Sequence, residues 1–303
     1  MPPALVLALA LLGISFAGPL VRLSHAHPLA IATWRLGISV AVIVVFLVAG
    51  GGWRQWRRLG RGEVGVAVGA GALLALHFWS WNASLALTTV AASVVLVNTQ
   101  PVVVAVLSAT LLRERPSRRQ WLGIFVAMLG ALVIALPDLG GGVGSGSRAI
   151  LGDLLAVGGA VTAALYFLAG RRLRATLDLW PYVGLVYGTC FAVLLGLCLV
   201  LRVPLAGYPP RELGIFTALA LGPMLLGHTG MNWALKFLPA FVVNLTLLGE
   251  PVGATIIAAL LPGIRELPTV HTLAGGAIIL LGVLIAASPR GGRAKSKDPR
   301  VTR

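Results

Sequence analysis

Within the apolar stretches of this 303-residue chain, few side chains can do chemistry. Of nine Asp and Glu residues, only Glu250 falls near the middle of such a stretch. An ionisable group at that depth costs about 2.5–3.5 kcal/mol on insertion scales and as a rule marks a pathway. Glu250 suits a proton acceptor or a partner for an amine; the bland alternative is a protonated or paired residue that holds a kinked helix. Pro251 behind it removes a backbone donor and leaves a carbonyl free one turn earlier. Gln100-Pro101 has the same form without a titratable group, so any proton step would be asymmetric. Arg35 lies six residues into its own stretch, about 9 Å deep at helical rise and about 7 Å in depth from Glu250. It suits a solute carboxylate. Its alternatives are to snorkel outward or to pair with Glu250.

His77, Trp81 and Ser84 share one helical stripe, while Asn82 lies on another face with Trp79. His228 and Asn232 are likewise four apart. Aromatic rings with a few polar tips suit a pocket for amphipathic solutes, and helix packing or an interfacial belt is the bland role for the tryptophans. A lipid-facing stripe would leave His77 and Ser84 without partners, so His77 and Trp81 are expected to face a cavity. Asn98, Asn244 and Thr246 suit hydrogen bonds between helices, at about 1 kcal/mol or less each. The candidate solute-binding set is therefore Arg35, His77, Trp81, Ser84, Asn98, Gln100, His228, Asn232 and Glu250. Glu250 is also the candidate coupling residue, and Pro101 and Pro251 the structural kinks.

These residues must be positioned by membrane helices. The chain is 58% apolar and 11% charged, with a mean hydropathy of +0.93; soluble domains carry about 25% charged residues. Apolar segments run at 4–21, 29–49, 64–86, 91–112, 119–136, 151–170, 181–201, 213–236, 241–262 and 269–287. Each matches the roughly 20 residues that span a bilayer. The net charge of +15 sits in short loop runs such as Arg54–Arg61, which fits loop anchoring and not nucleic-acid binding. Loops after even-numbered segments, with the C-terminal tail, hold 18 Lys and Arg against 5 on the other side. Both termini are thus expected in the cytoplasm, in a bacterial-type inner membrane, with the first segment uncleaved.

Cys190 and Cys198 stand about 12 Å apart along a helix, too far for a disulfide. No ligand spacing points to a metal, and no cofactor is expected. The Gly/Ser stretch 139–147 lacks the Lys-Ser/Thr of a nucleotide loop and suits a flexible linker. One intramembrane carboxylate and scattered histidines do not make a hydrolase, so no enzyme is expected.

The chain repeats itself. A shift of 150 places Asn82 on Asn232 and Gln100-Pro101-Val102 on Glu250-Pro251-Val252; a shift of 152 places Glu114 on Glu266, Gly123 on Gly275 and Gly130 on Gly282. Five segments per half force the second half to enter from the opposite side, an inverted repeat typical of carriers. The expected fold is all-α integral membrane: ten transmembrane helices as two inverted five-helix repeats, 1–138 and 151–288. A linker at 139–150 joins them, and a basic cytoplasmic tail at 289–303 lies on anionic lipid.

Gln100-Pro101 followed by Leu111-Leu112-Arg113-Glu114-Arg115, Gly123 and Gly130 resembles the first half of an EamA-type carrier of the drug/metabolite transporter superfamily. Glu250-Pro251, Glu266, Gly275 and Gly282 resemble the second half, although Pro262–Glu266 departs from the usual short Gly-Glu-Arg form. The resemblance implies ten helices in inverted repeats that move small metabolites, often outward. The aromatic-rich helix with His77, Phe78, Trp79 and Trp81 looks most like the amino-acid exporter branch. The expected function is export of small amphipathic metabolites, amino acids first, by alternating access, with the lipid bilayer as surroundings. Export of drugs, nucleosides or sugar derivatives, or a non-transporting membrane partner, stands as the alternative.

Overall fold

The computed structural model describes residues 1–84, 87–88, 93, 96–139, 147–261 and 270–287. Among these the chain is all helical, with no strand. Among the described residues, seven helices are long and apolar enough to cross a membrane. Six of them are α1 (Pro3–Leu23), α2 (Pro28–Ala49), α3 (Arg61–Ser84), α6 (Ser147–Leu173), α7 (Leu179–Val200) and α8 (Pro210–Ala234). The seventh is α9, which runs from Ala240–Thr246 through a 3-10 turn at Leu247–Gly249 into Glu250–Leu260. Between and beyond them lie α4 (Gln100–Leu112), α5 (Arg118–Leu139) and α10 (Val270–Ala287). Most of the linker, the Pro262–Glu266 loop and the basic tail lie outside the described residues.

Prolines set the irregularities. α2 starts on Pro28, whose missing N–H costs nothing at a helix start, and His27 Nδ1 accepts from the Leu29 N–H at 3.2 Å. Gly51, at φ 63°, turns the chain out of α2. Pro19 withholds a donor from the Ser15 carbonyl, and α1 breaks at Phe16. In α8, Pro223 lies inside a π-helical stretch, Ala220–His228, that widens the ladder on the way to His228. In α9, Pro251 leaves the Leu247 carbonyl to the Glu250 N–H, one residue tighter than an α-helix.

α3 packs on α6 and α7, α2 on α7, and α1 on the π stretch of α8. Small residues let backbones meet. A Cβ at Gly71 would stand 2.5 Å from the Val186 carbonyl. On α5 and α10, Gly123 meets Gly282 and Gly130 meets Gly275, so the two helices run antiparallel. Exchange of the repeat-related glycines turns one contact into the other, the pattern a two-fold axis produces. Outward faces are apolar and open: Val44, Val45 and Val48 on α2, Phe125 and Leu129 on α5, Leu280 and Leu281 on α10. Such surfaces suit lipid, not water.

Candidate solute cavity

In the middle of the bundle lies a cavity of about 60 Å³. That is room for about two waters at their share of liquid volume. Arg35 of α2, His77, Phe78 and Trp81 of α3, Asn98, Gln100 and Pro101 at the start of α4, His228 of α8 and Glu250 of α9 all line it. Phe167 of α6 and Ile14 and Ala17 of α1 add apolar wall. The helical segments that begin at Gln100 and at Glu250, one in each half, both open onto it.

On α3, His77 and Trp81 are one turn apart, and Phe78 falls within the same arc. Trp79 is on the far side and packs half-buried against the core. His77 Nδ1 lies 2.9 Å from the Gly159 carbonyl, which can only accept, so Nδ1 carries the proton and Nε2 remains for the cavity. Phe78 is the hub. The Arg35 guanidinium lies over its face, Cζ 4.4 Å from the centroid, and His228 meets it edge-on at 5.5 Å. Arg35 is 4% exposed and makes no ion pair with Glu250.

Two candidates lie elsewhere. Ser84 donates to the Trp81 carbonyl at 2.7 Å and sits 2.5 Å from Ser93 Oγ. Asn232 gives its amide to Tyr166 Oη, to Tyr187 Oη at 3.1 Å and to the His228 carbonyl at 2.9 Å, behind the cavity wall. Gln100 Nε2 donates to Asn244 Oδ1, tying α4 to α9 across the halves. Asn82 Nδ2 reaches the Pro28 carbonyl at 3.2 Å. Sequence reasoning missed Phe167 and the Tyr166–Tyr187–Asn232 cluster. The cluster's signal was two phenols, Tyr166 and Tyr187, inside apolar stretches, where a hydroxyl must find a protein partner.

Polar latches stand at both ends. At one, Glu212 at the start of α8 accepts from Ser24 Oγ at 2.5 Å and from the His25 N–H at 3.2 Å, in the loop after α1; it is 3% exposed. At the other, Arg171 donates to Glu114 at 2.8 Å and to the Leu235 carbonyl at 2.6 Å, and Glu114 accepts the Ala240 N–H at 3.2 Å. The same end holds Asp178, whose carboxyl is kept below the usual carboxylate range by hydrogen bonds from Gln55 and Lys236. Glu63, at the start of α3, receives Thr176 Oγ1 there at 3.4 Å, an exposed counterpart of the Glu212–Ser24 contact.

The sequence pattern of the EamA-like transporter family matches residues 2–136 and again 150–288, nearly the whole chain. The chain belongs to the EamA-like transporter family. It is 26% identical to an uncharacterized transporter of Archaeoglobus fulgidus, across 94% of this chain and 98% of that one. It is also 26% identical to the uncharacterized transporter YyaM of Bacillus subtilis, across 91% and 92%. A crystal structure of another protein superposes with a TM-score of 0.77 at 20% identity, over 94% of this chain and 96% of its own, a likeness of fold. The chain is therefore a multi-pass membrane transporter. The family's members are in general not enzymes.

Proposed function

We propose that the chain is a secondary carrier that exports small amphipathic metabolites, amino acids first, by alternating access around the central cavity. The observation that carries this reading is the cavity itself: polar groups from α2, α3 and α4 of the first half face His228 and Glu250 of the second. A space of about 60 Å³ is smaller than an amino acid, so transport requires the bundle to widen around it. The latches at Glu212 and at Glu114–Arg171 are the contacts that would part in turn. The reading takes ten spans as two inverted five-helix repeats, with both termini in the cytoplasm of a bacterial-type inner membrane. The twice-matching family pattern, the exchanged glycine contacts and the loop charge count support it.

Alternating access then rocks the halves around a fixed site. Glu250 is the proposed coupling residue; Arg35, His77, Trp81, Asn98, Gln100 and His228 are the proposed solute contacts, with Asn232 and Ser84 holding the wall from behind. The test is counterflow in proteoliposomes of the full chain, with a panel of amino acids, nucleosides and cationic drugs. Accelerated exchange of amino acids supports the reading. Exchange of nucleosides or drugs alone removes the amino-acid assignment, and no exchange of any solute removes the carrier.

A further inference from the structure

The cavity is unequal in its chemistry. Two side chains present donors without acceptors: Arg35 Nε and Nη2 and Trp81 Nε1 are buried and have no hydrogen-bond partner; His228 Nδ1, donor or acceptor by its tautomer, is also unpartnered. All three side chains line the same cavity. Buried polar groups are hydrogen-bonded as a rule, and an orphaned charged donor is the costliest exception. A guanidinium also has no route to neutrality, since it does not lose its proton in proteins. Whatever meets the Arg35 and Trp81 donors must therefore accept.

The two orphaned nitrogens of Arg35 say what shape it has. Nε–H and Nη2–H share one edge of the guanidinium and point the same way, the fork that takes both oxygens of a carboxylate. The face of the guanidinium is occupied by Phe78 at 4.4 Å. Stacking fixes the plane and leaves that edge available. Glu250, the carboxylate that shares the cavity, makes no ion pair with it. The space of about 60 Å³ suits a carboxylate head and not a whole metabolite.

We propose that Arg35, with Trp81 Nε1 and His228 beside it, is an anion seat that holds the solute's carboxylate, so that the cavity accepts carboxylate-bearing solutes and discriminates against their neutral or cationic analogues. The proposal rests on the carrier reading of this cavity and names its substrate class. An α-amino group is then a secondary feature, met by the Glu250 and Gln100 wall. A simple carboxylic acid satisfies the seat as an amino acid does.

The test uses matched series built on alanine, leucine and phenylalanine: the acid, its amide, the amine lacking the carboxyl, and the acid lacking the amine. Each is measured as a competitor of counterflow and, separately, by the melting temperature of the purified full chain in detergent. Carboxylates are expected to act roughly 10- to 100-fold more strongly than amides and amines of the same side chain, the range for charge-assisted hydrogen bonds. Arg35→Lys keeps the charge and loses the fork; it should weaken carboxylates about tenfold while leaving amides where they were. Amides or amines that act as strongly as the acids overturn the anion seat and leave the carrier standing. Acids that raise the melting temperature without any exchange keep the seat and remove the carrier. No response in any series by either measurement overturns the seat. The wild-type comparison decides these outcomes without Arg35→Lys, should that variant fail to fold.

Discussion

The Glu212 latch offers the most direct test of alternating access. Its carboxylate joins the halves through Ser24 Oγ at 2.5 Å and the His25 N–H at 3.2 Å. Arg211 also reaches it at 3.2 Å, but that side chain is half exposed and belongs to the same helix, so it adds little to closure. Hydrogen bonds to a charged group contribute about 1.5–3 kcal/mol each. Water replaces them when the gate opens, so the lower figure applies, about 3 kcal/mol for the two together. Glu212→Ala should therefore favour the outward-open state by up to about 100-fold, at roughly 1.4 kcal/mol per tenfold. Glu212→Gln keeps an oxygen acceptor without the charge and should shift it by about tenfold. The reporter is Ala17→Cys, at the cavity wall, in a Cys190→Ser, Cys198→Ser background. Its rate of reaction with a membrane-impermeant maleimide added outside measures the open fraction. Rates within twofold of the parent for Glu212→Ala, in monodisperse protein, would refute the latch, as would faster labelling from the inside only.

Gly282→Leu should lower the melting temperature sharply, because its Cβ would stand 2.5 Å from Ala127 N and 2.6 Å from the Gly123 carbonyl, an overpacking of about 1–3 kcal/mol; Gly158→Leu, with open space around it, should change nothing. If Glu250 couples transport to protons, Glu250→Gln should abolish the pH dependence of transport in a folded protein, and retained pH dependence at normal turnover would return it to structure. Trp81→Ala should reorder the preference among apolar and polar amino acids, and Trp79→Ala should affect mainly expression or melting; the reverse result would put the wrong face of α3 in the cavity. A reporter fused after Arg303 should be active only in its cytoplasmic form, with Ser145 labelled from outside. Inside-only labelling of Ser145 would remove the five-plus-five arrangement.

Helices were legible because hydropathy reports directly on burial in lipid. The stretches read as 29–49 and 181–201 are Pro28–Ala49 and Leu179–Val200. Their irregularities were legible only where a proline stood beside a polar residue, as at Gln100-Pro101 and Glu250-Pro251. Pro223 has no such neighbour, and the π stretch it sits in went unread. The glycines at 123, 130, 275 and 282 were legible as repeat-related positions. Which partner each would meet depended on how two distant helices cross, and no local pattern encodes that.

The site was legible by residue type and less so by place. In a helix apolar on all sides, periodicity cannot say which face meets lipid, so polar side chains became the only compass. For His77, Trp81 and His228 the compass pointed at the cavity. For Ser84 it failed on distance: seven residues beyond His77 is about 10.5 Å along the helix, beyond a cavity this small, although the stripe is the same. For Asn232 it failed on partnership, since Tyr166 and Tyr187 arrive from two other helices and take up its amide. Arg35 shows the converse. Both ordinary fates foreseen for it, an outward snorkel and a standing pair with Glu250, would have given its nitrogens partners in water or carboxylate. It has instead 4% exposure and two orphaned nitrogens on one edge. A sequence can show that a charge lies at membrane depth. Only the folded chain shows that the charge has been left unsatisfied, and an unsatisfied donor facing a cavity is a statement about what comes to fill it.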